Sequence, residues 1–342
     1  MKIQCIIEPT YQPTSTIVKD LDNVDQLRIK YNCPVFETID EFLQSDLLST
    51  TDGIIICTPH ASHATIGLKC IKAQLNILME KPMTTDVDEA RLLYEASINN
   101  PTKIFQINNS ANWRPRAKQL YDIILKRGEI GDVKHIHAYF GVNLGGLFED
   151  PESVGWHAKT GNMKGNGFGW GQLSHTISFL LKITGLTPSK AFAFTGNSEI
   201  TGADIYTAIS IKCTNNATIS ISGVGVCPAY KSKKEIDNLI VGSLGRVRYQ
   251  GLMDCDDPSN DIGSLELSLN NGESKTIEGF EFENLTVVPG PESIHSFIDG
   301  CMGKEGDGYY DGANGLLGFL TVATIDAIYR SAISEMAENI LI

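Results

Sequence analysis

Short apolar runs alternate with amphipathic stretches through the N-terminal third of the chain. Residues 3–7 read as a strand ended by Glu8 and Pro9, and residues 33–36 as a second. Gly53-Ile54-Ile55-Ile56-Cys57 is a continuous β-branched run, the pattern of a strand buried on both faces. Ile77-Leu78-Met79 repeat that character. Glu80-Lys81-Pro82 stops them, because proline cannot donate to a sheet ladder. Residues 103–107 read as a fifth strand. Helices are expected at 24–31, 40–48, 61–74 and 86–97, the last with Asp86 as N-cap and Glu89 three residues on. Strands that alternate with helices predict a parallel, doubly wound sheet. Ligands of such sheets bind beyond the strand C-termini, which is where Lys81 falls.

The pattern then changes. An amphipathic helix over 116–126 is stopped by Gly128. Residues 133–142 alternate with a period of two, and further strands are expected at 191–195, 205–213, 217–226, 238–241, 246–249, 265–269 and 274–277. Asn215-Asn216 and Asn270-Asn271-Gly272 are hairpin signals. Helices over 293–302 and 313–336 close the chain. The expectation is an α/β protein of two domains, 1–112 with a parallel sheet and 113–342 with a large open, mostly antiparallel sheet.

Composition narrows the partners. The chain has 342 residues and a net charge of −13, which disfavours nucleic acid and anionic membranes. No apolar run approaches the ~18 residues of a membrane span, and the first apolar run is too short for a signal peptide. Eight scattered cysteines without a Cys-x-x-Cys pair predict reduced thiols in a cytoplasmic chain and no metal site.

Three stretches could carry chemistry. Lys81 stands at a strand end. Cys57-Thr58-Pro59-His60-Ala61-Ser62-His63 opens a helix, where free N–H groups attract anions. The His60/His63 spacing, without further ligands nearby, points to structural or cofactor contacts rather than to a metal. The glycine-rich stretch 161–171 runs into Gln172, Leu173, Ser174 and His175. A helix starting near Gly171 would bury Leu173, Ile177, Leu180 and Thr184 as one stripe and set His175 on another face. His175 beside that loop is a candidate acid/base, since imidazole exchanges protons near neutral pH.

These motifs, in this order, resemble the glucose–fructose oxidoreductase/inositol dehydrogenase (Gfo/Idh/MocA) family. They are Thr58-Pro59-His60 with His63; Glu80-Lys81-Pro82; Gly128-Glu129-Ile130-Gly131; the glycines of 165–171 before His175; and Ala327-Ile328-Tyr329-Arg330-Ser331-Ala332. The resemblance implies a Rossmann-like domain and a C-terminal α/β domain. It implies hydride transfer between NAD or NADP and a sugar, polyol or related substrate, with Lys81 and His175 as the catalytic pair. Cofactor contacts would fall on Glu8, Thr58, Pro59, His60, His63, Glu80 and Lys81. Trp156, His157 and Gln172 would stand on the substrate side. Glu8 favours NAD, because it would repel a 2′-phosphate. A homodimer or homotetramer through the C-terminal sheet is also implied.

The chain departs from the family in two places. No Gly-x-Gly-x-x-Gly precedes residue 8, and Met1 falls almost at the family's second strand. Loss of the central strand would leave a gap of about 9–10 Å, two inter-strand spacings. The flanking strands must then pair with each other or leave their edges unsatisfied. A shortened gene product, a re-paired domain and a borrowed strand are the competing expectations. The family's active-site Asp, one turn before the His, also falls on Gly171. A non-catalytic ligand-binding relative and a structural oligomer subunit are the alternatives to an enzyme.

Overall fold

The computed structural model describes residues 2–14, 20–157, 166–230, 233–254, 256–279, 292–304 and 310–342. The glycines of 161–165 lie outside the described residues.

The N-terminal part has strands β1 (Ile6–Ile7), β2 (Val35–Phe36), β3 (Gly53–Ile56), β4 (Asn76–Met79) and β5 (Phe105–Ile107). Helices α1 (Val24–Tyr31), α2 (Ile39–Leu43), α3 (His60–Lys72) and α4 (Val87–Ile98) connect them. Local chemistry sets the helix starts. Asn23 and Gln26 cap α1 reciprocally, and the Asp86 carboxylate accepts from the N–H groups of Asp88 and Glu89 at the start of α4. All strand pairs here are parallel, as the alternation predicted.

The strands nevertheless form two sheets, β1-β2 and β3-β4-β5, rather than one. Of the two outcomes expected for the flanking strands, they do not pair with each other but leave their edges open. Ile6 and Glu8 donate to Pro34 and Phe36 at 3.1 and 3.0 Å, which turns the N–H and C=O of Ile7 to the other side. Ile56 accepts from Glu80 at 2.8 Å, which likewise turns the backbone of Ile55 away from β4. Both edges face one cleft. Phe42 and Phe297 line that cleft and are 1% and 5% exposed, so closing the gap would displace packed rings. The two sheets are tied outside the strands. Gln4 Nε2 donates to Thr50 O at 2.9 Å, and Lys69 of α3 pairs with Asp40 of α2 at 2.6 Å.

The second part has α5 (Pro115–Tyr121), β6 (Val133–Val142), the short α6 (Gly145–Phe148) and α7 (Val154–His157), α8 (Ser174–Thr184), β7 (Pro188–Asn197), β8 (Asp204–Cys213) and β9 (Thr218–Val224). It continues with β10 (Lys233–Gly242), β11 (Gly245–Asp254), β12 (Ile262–Leu269), β13 (Ser274–Glu278), α9 (Glu292–Cys301), α10 (Gly315–Ser334) and β14 (Glu338–Asn339). Nine strands form one sheet in the order β13-β12-β11-β10-β6-β9-β8-β7-β14. Neighbours are antiparallel except β6 and β9. Alternation divides the faces. In β8, Ile205, Thr207, Ile209 and Ile211 are buried, while Tyr206, Ala208, Ser210 and Lys212 are exposed.

Several elements differ from the sequence expectation. β10 and β11 are each ten residues, far longer than 238–241 and 246–249. Polar cross-strand neighbours such as Arg248 and Asp237, 2.6 Å apart, interrupt the apolar alternation there. The helix over 116–126 is α5 followed by a π-turn at Asp122–Lys126. The helix over 40–48 is α2 followed by a 3₁₀ turn at Asp46–Thr50. α8 buries every residue but Lys182, so no single stripe exists. α10 is 20 residues long and apolar enough to cross a membrane by length and composition, although no run of that kind was expected. Its packing along β7, α4 and α8 accounts for the apolarity, since 67% of its apolar window is buried inside the protein.

Candidate active site

β4 is buried along its whole length and delivers Lys81 to the head of the cleft. The Lys81–Pro82 peptide is cis. Lys81 Nζ donates to the carbonyl of Gly171 at 2.8 Å, across 90 residues of sequence. Glu80 holds the strand ends together. Its Oε1 accepts from Asn108 Nδ2 at 2.6 Å and its Oε2 from the Lys81 N–H at 3.2 Å.

The Thr58–His63 segment forms the neighbouring wall. Pro59 occupies the N-cap of α3 and supplies no side-chain cap. Ser62 Oγ donates to Thr58 Oγ1 at 2.8 Å. His60 lines the cleft and is 8% exposed. Burial pushes its imidazole down to about 3, with smaller contributions from His63 and Lys81, so it is neutral at ordinary pH. His63 is fully buried and lies beneath the wall. One ring nitrogen faces Pro82 O at 3.0 Å and the other Thr58 O at 2.8 Å, joining the two loops. Burial and Glu80 push the Cys57 thiol up to about 11, away from nucleophilic use. Glu8 ends β1 at the cleft, its carboxylate accepting from the Thr10 N–H at 2.9 Å.

The facing wall is the glycine turn. Gly169–Leu173 is a π-turn that runs directly into α8. His175 lies four residues beyond Gly171, on the next turn, and is 4% exposed. Gln172 is partly buried on the same turn, and Gly155 and Trp156 line the cleft beside Gly171. His157 ends α7 next to them. The turn is gripped from behind. Asp204 of β8 accepts from the Gly169 N–H at 2.8 Å and from the Tyr329 hydroxyl of α10 at 2.9 Å. The sequence reading missed Asp204, the Gly171 carbonyl and the Asn108 amide. Pairs 125 and 90 residues apart leave no local pattern, and an acid opening an otherwise apolar strand was the one available signal for Asp204.

The cleft has a volume of about 1710 Å³ and runs from residues 2–7 and 51–57 up to Lys81, Trp156 and Gly171. That exceeds the ~300–1,000 Å³ of an ordinary small-molecule pocket. Among the described residues, no three His, Cys, Asp or Glu side chains converge as metal ligands.

The NAD-binding Rossmann-fold pattern of the GFO/IDH/MocA oxidoreductase family matches residues 5–107, and that family's C-terminal domain matches residues 118–248. The chain belongs to the GFO/IDH/MocA family. Its mixed architecture, small parallel sheets beside a large mostly antiparallel one, is that family's fold. Trans-1,2-dihydrobenzene-1,2-diol dehydrogenase of Mus musculus is 24% identical over 57% of this chain and 54% of its own length. Inositol 2-dehydrogenase of Rubrobacter xylanophilus is 29% identical over 24% of this chain and 23% of its own. The chain thus spans about half the length of the mouse relative and less than a quarter of the bacterial one. Among solved structures, levoglucosan dehydrogenase in complex with NADH and levoglucosan superimposes with a TM-score of 0.72 at 15% identity, covering 98% of this chain and 90% of that one. An oxidoreductase domain protein from Kribbella flavida gives 0.72 at 16% identity, covering 92% and 86%.

Proposed function

We propose that this GFO/IDH/MocA chain is an NAD(P)-dependent oxidoreductase acting on a secondary hydroxyl of a sugar, polyol or related alcohol. The observation that supports the reading is the bond from Lys81 to Gly171, which holds an ammonium at a strand end against the carbonyl four residues before His175. A hydroxyl seated between them loses its proton to the His175 imidazole. The Lys81 ammonium stabilises the alkoxide as its charge develops. When bound, nicotinamide supplies the hydride acceptor. Trp156, His157 and Gln172 would meet the rest of the substrate, in the place left by an acid at position 171. We draw the domain boundary at residues 112/113.

The upper cleft suits a nicotinamide nucleotide. The N–H groups of His60 and Ala61 at the uncapped start of α3 attract an anion, and Glu8 and Glu80 offer hydroxyl acceptors. NAD is favoured over NADP, because Glu8 would repel a 2′-phosphate. Self-association would use the open face of the large sheet, where Phe194 and Tyr206 are 56% and 44% exposed. A monomeric mass in light scattering would contradict it.

The test is a titration with NADH and NADPH read by tryptophan fluorescence. Trp156 lines the cleft, whereas Trp113 and Trp170 are buried and do not line it, so Trp156→Phe should remove the response. Turnover of a polyol panel then decides the activity. No quenching at millimolar cofactor and no turnover would sink the reading. One alternative has its own support. Gly171, in the place of the family's acid, favours a ligand-binding relative without turnover, and any turnover removes it.

A further inference from the structure

The structure assigns a positioning role to Asp204 and Tyr329: they clamp the Gly169–Leu173 turn so that the Gly171 carbonyl meets the Lys81 ammonium. The consequence for rate rests on the reading of Lys81 given above; the clamp itself does not. A buried carboxylate is costly unless its oxygens are satisfied. Asp204 is 6% exposed, and its two oxygens serve different elements. One takes the Gly169 N–H and the other the Tyr329 hydroxyl, at 2.8 and 2.9 Å. Burial and the adjacent carboxylate hold the phenol well above its ordinary value, so it remains a donor. The Tyr329 ring also stacks on Trp170, with centroids 5.9 Å apart and planes at 16°. Hydroxyl and ring therefore fix two consecutive residues of the turn.

The glycines mark how closely the clamp closes. A Cβ on Gly169 would stand 2.4 Å from the Tyr329 hydroxyl, and one on Gly167 1.8 Å from Asp204 Oδ1. Gly167 also has φ +134°, outside the range of other residues. From there the chain leads straight to the reactive end. The Gly171 N–H donates to Gly167 O at 2.9 Å, and the Gly171 carbonyl receives Lys81 at 2.8 Å. Neither Asp204 nor Tyr329 lines the cleft. Their influence on Lys81 runs through the turn alone, and π-turns of this kind recur at functional sites because they displace carbonyls from the helical ladder.

Tyr329→Phe keeps the ring on Trp170 and removes one donor. The readout is the rate at which acetic anhydride labels Lys81, followed by peptide mass spectrometry on folded protein, with Lys182 as internal control. Lys182 is tied to the Asp311 carbonyl and to the rings of Tyr121 and Tyr310, away from the turn. Lys81 labelling is expected to rise about tenfold as its carbonyl partner drifts, with Lys182 unchanged. Unchanged Lys81 labelling, or an equal rise at Lys182, overturns the clamp. On the enzymatic reading, kcat also falls on the order of ten- to a hundredfold with NADH affinity unaltered. A wild-type kcat beside raised Lys81 labelling would sink the catalytic role of Lys81 and leave the clamp standing.

Discussion

Lys81→Met separates what the ammonium does for the fold from what it does for the reaction. Methionine keeps most of the stem and removes the charge. The structural loss is one charge-assisted bond, 2.8 Å long, to the Gly171 carbonyl. Such a bond contributes about 1.5–3 kcal/mol, and the carbonyl left behind lines the cleft, where water can replace the lost donor. The unfolding free energy should therefore fall by no more than about 3 kcal/mol. The catalytic loss is larger in kind. A preorganised donor aimed at a developing oxyanion is worth roughly 10²–10³ in kcat. Steady-state NADH formation at saturating substrate should show that drop with KM nearly unchanged, because the interaction strengthens only in the transition state. Urea unfolding of the same sample gives the stability term. Lys81→Arg should restore most of the stability but not the rate, since a planar fork cannot place its charge as an ammonium does. Wild-type kcat in Lys81→Met, or a rate loss no greater than the loss of folded protein, refutes the assignment.

Three further outcomes follow. The unfolded His60 imidazole takes up a proton below about pH 6.5 that the folded one refuses until about pH 3, so stability should fall as pH drops through that window. The slope is at most about 1.4 kcal/mol per pH unit. His60→Gln should flatten the dependence of the urea midpoint on pH, and an unaltered dependence would show that another group sets it. In hydrogen exchange, the amides of Ile7 and Ile55 should exchange quickly while that of Ile56 is protected; equal protection at Ile55 and Ile56 would mean that the two parallel sheets are joined in solution. Asp86→Ala removes two bonds to the start of α4 and should cost ~0.5–2 kcal/mol in thermal or urea unfolding, whereas an unchanged midpoint would show that the cap is idle.

What could be read from the sequence was what local chemistry determines. The β-branched run at 53–57 became β3, the Asp86 cap opened α4, and the period-two pattern at 133–142 became β6. The π-turns at Asp122–Lys126 and Gly169–Leu173 left no such trace, because one inserted residue hardly alters the apolar spacing on either side. The all-round burial of α8 was hidden for a different reason. Ser174, His175, Thr176 and Ser178 look like a polar face, yet they are enclosed. At the site, Lys81 and its strand end were legible from the proline that stops β4. Its partner carbonyl was not, since Gly171 is visible in sequence as a missing side chain rather than as an oxygen held in place.

On the proposed reading, the chemistry end and the nucleotide end of the cleft rest on different supports. Lys81 is held by Gly171, Gly171 by the turn that Asp204 and Tyr329 grip, and both of those sit in the C-terminal sheet and α10. None of these contacts crosses the gap between β1 and β3. The edges of Ile7 and Ile55, which no strand pairs among the described residues, can therefore loosen the nucleotide end without moving the Lys81–Gly171 pair. On the proposed reading, the gap weakens the hold on the phosphates, which binds ground state and transition state alike, and leaves the step at the hydroxyl intact. Its cost then falls on cofactor KM rather than on kcat. A chain with poor NADH affinity and an ordinary turnover number at saturation would fit this division of labour. Tight NADH binding with negligible turnover would reverse it, and would place the defect at Gly171 instead of at the open edges.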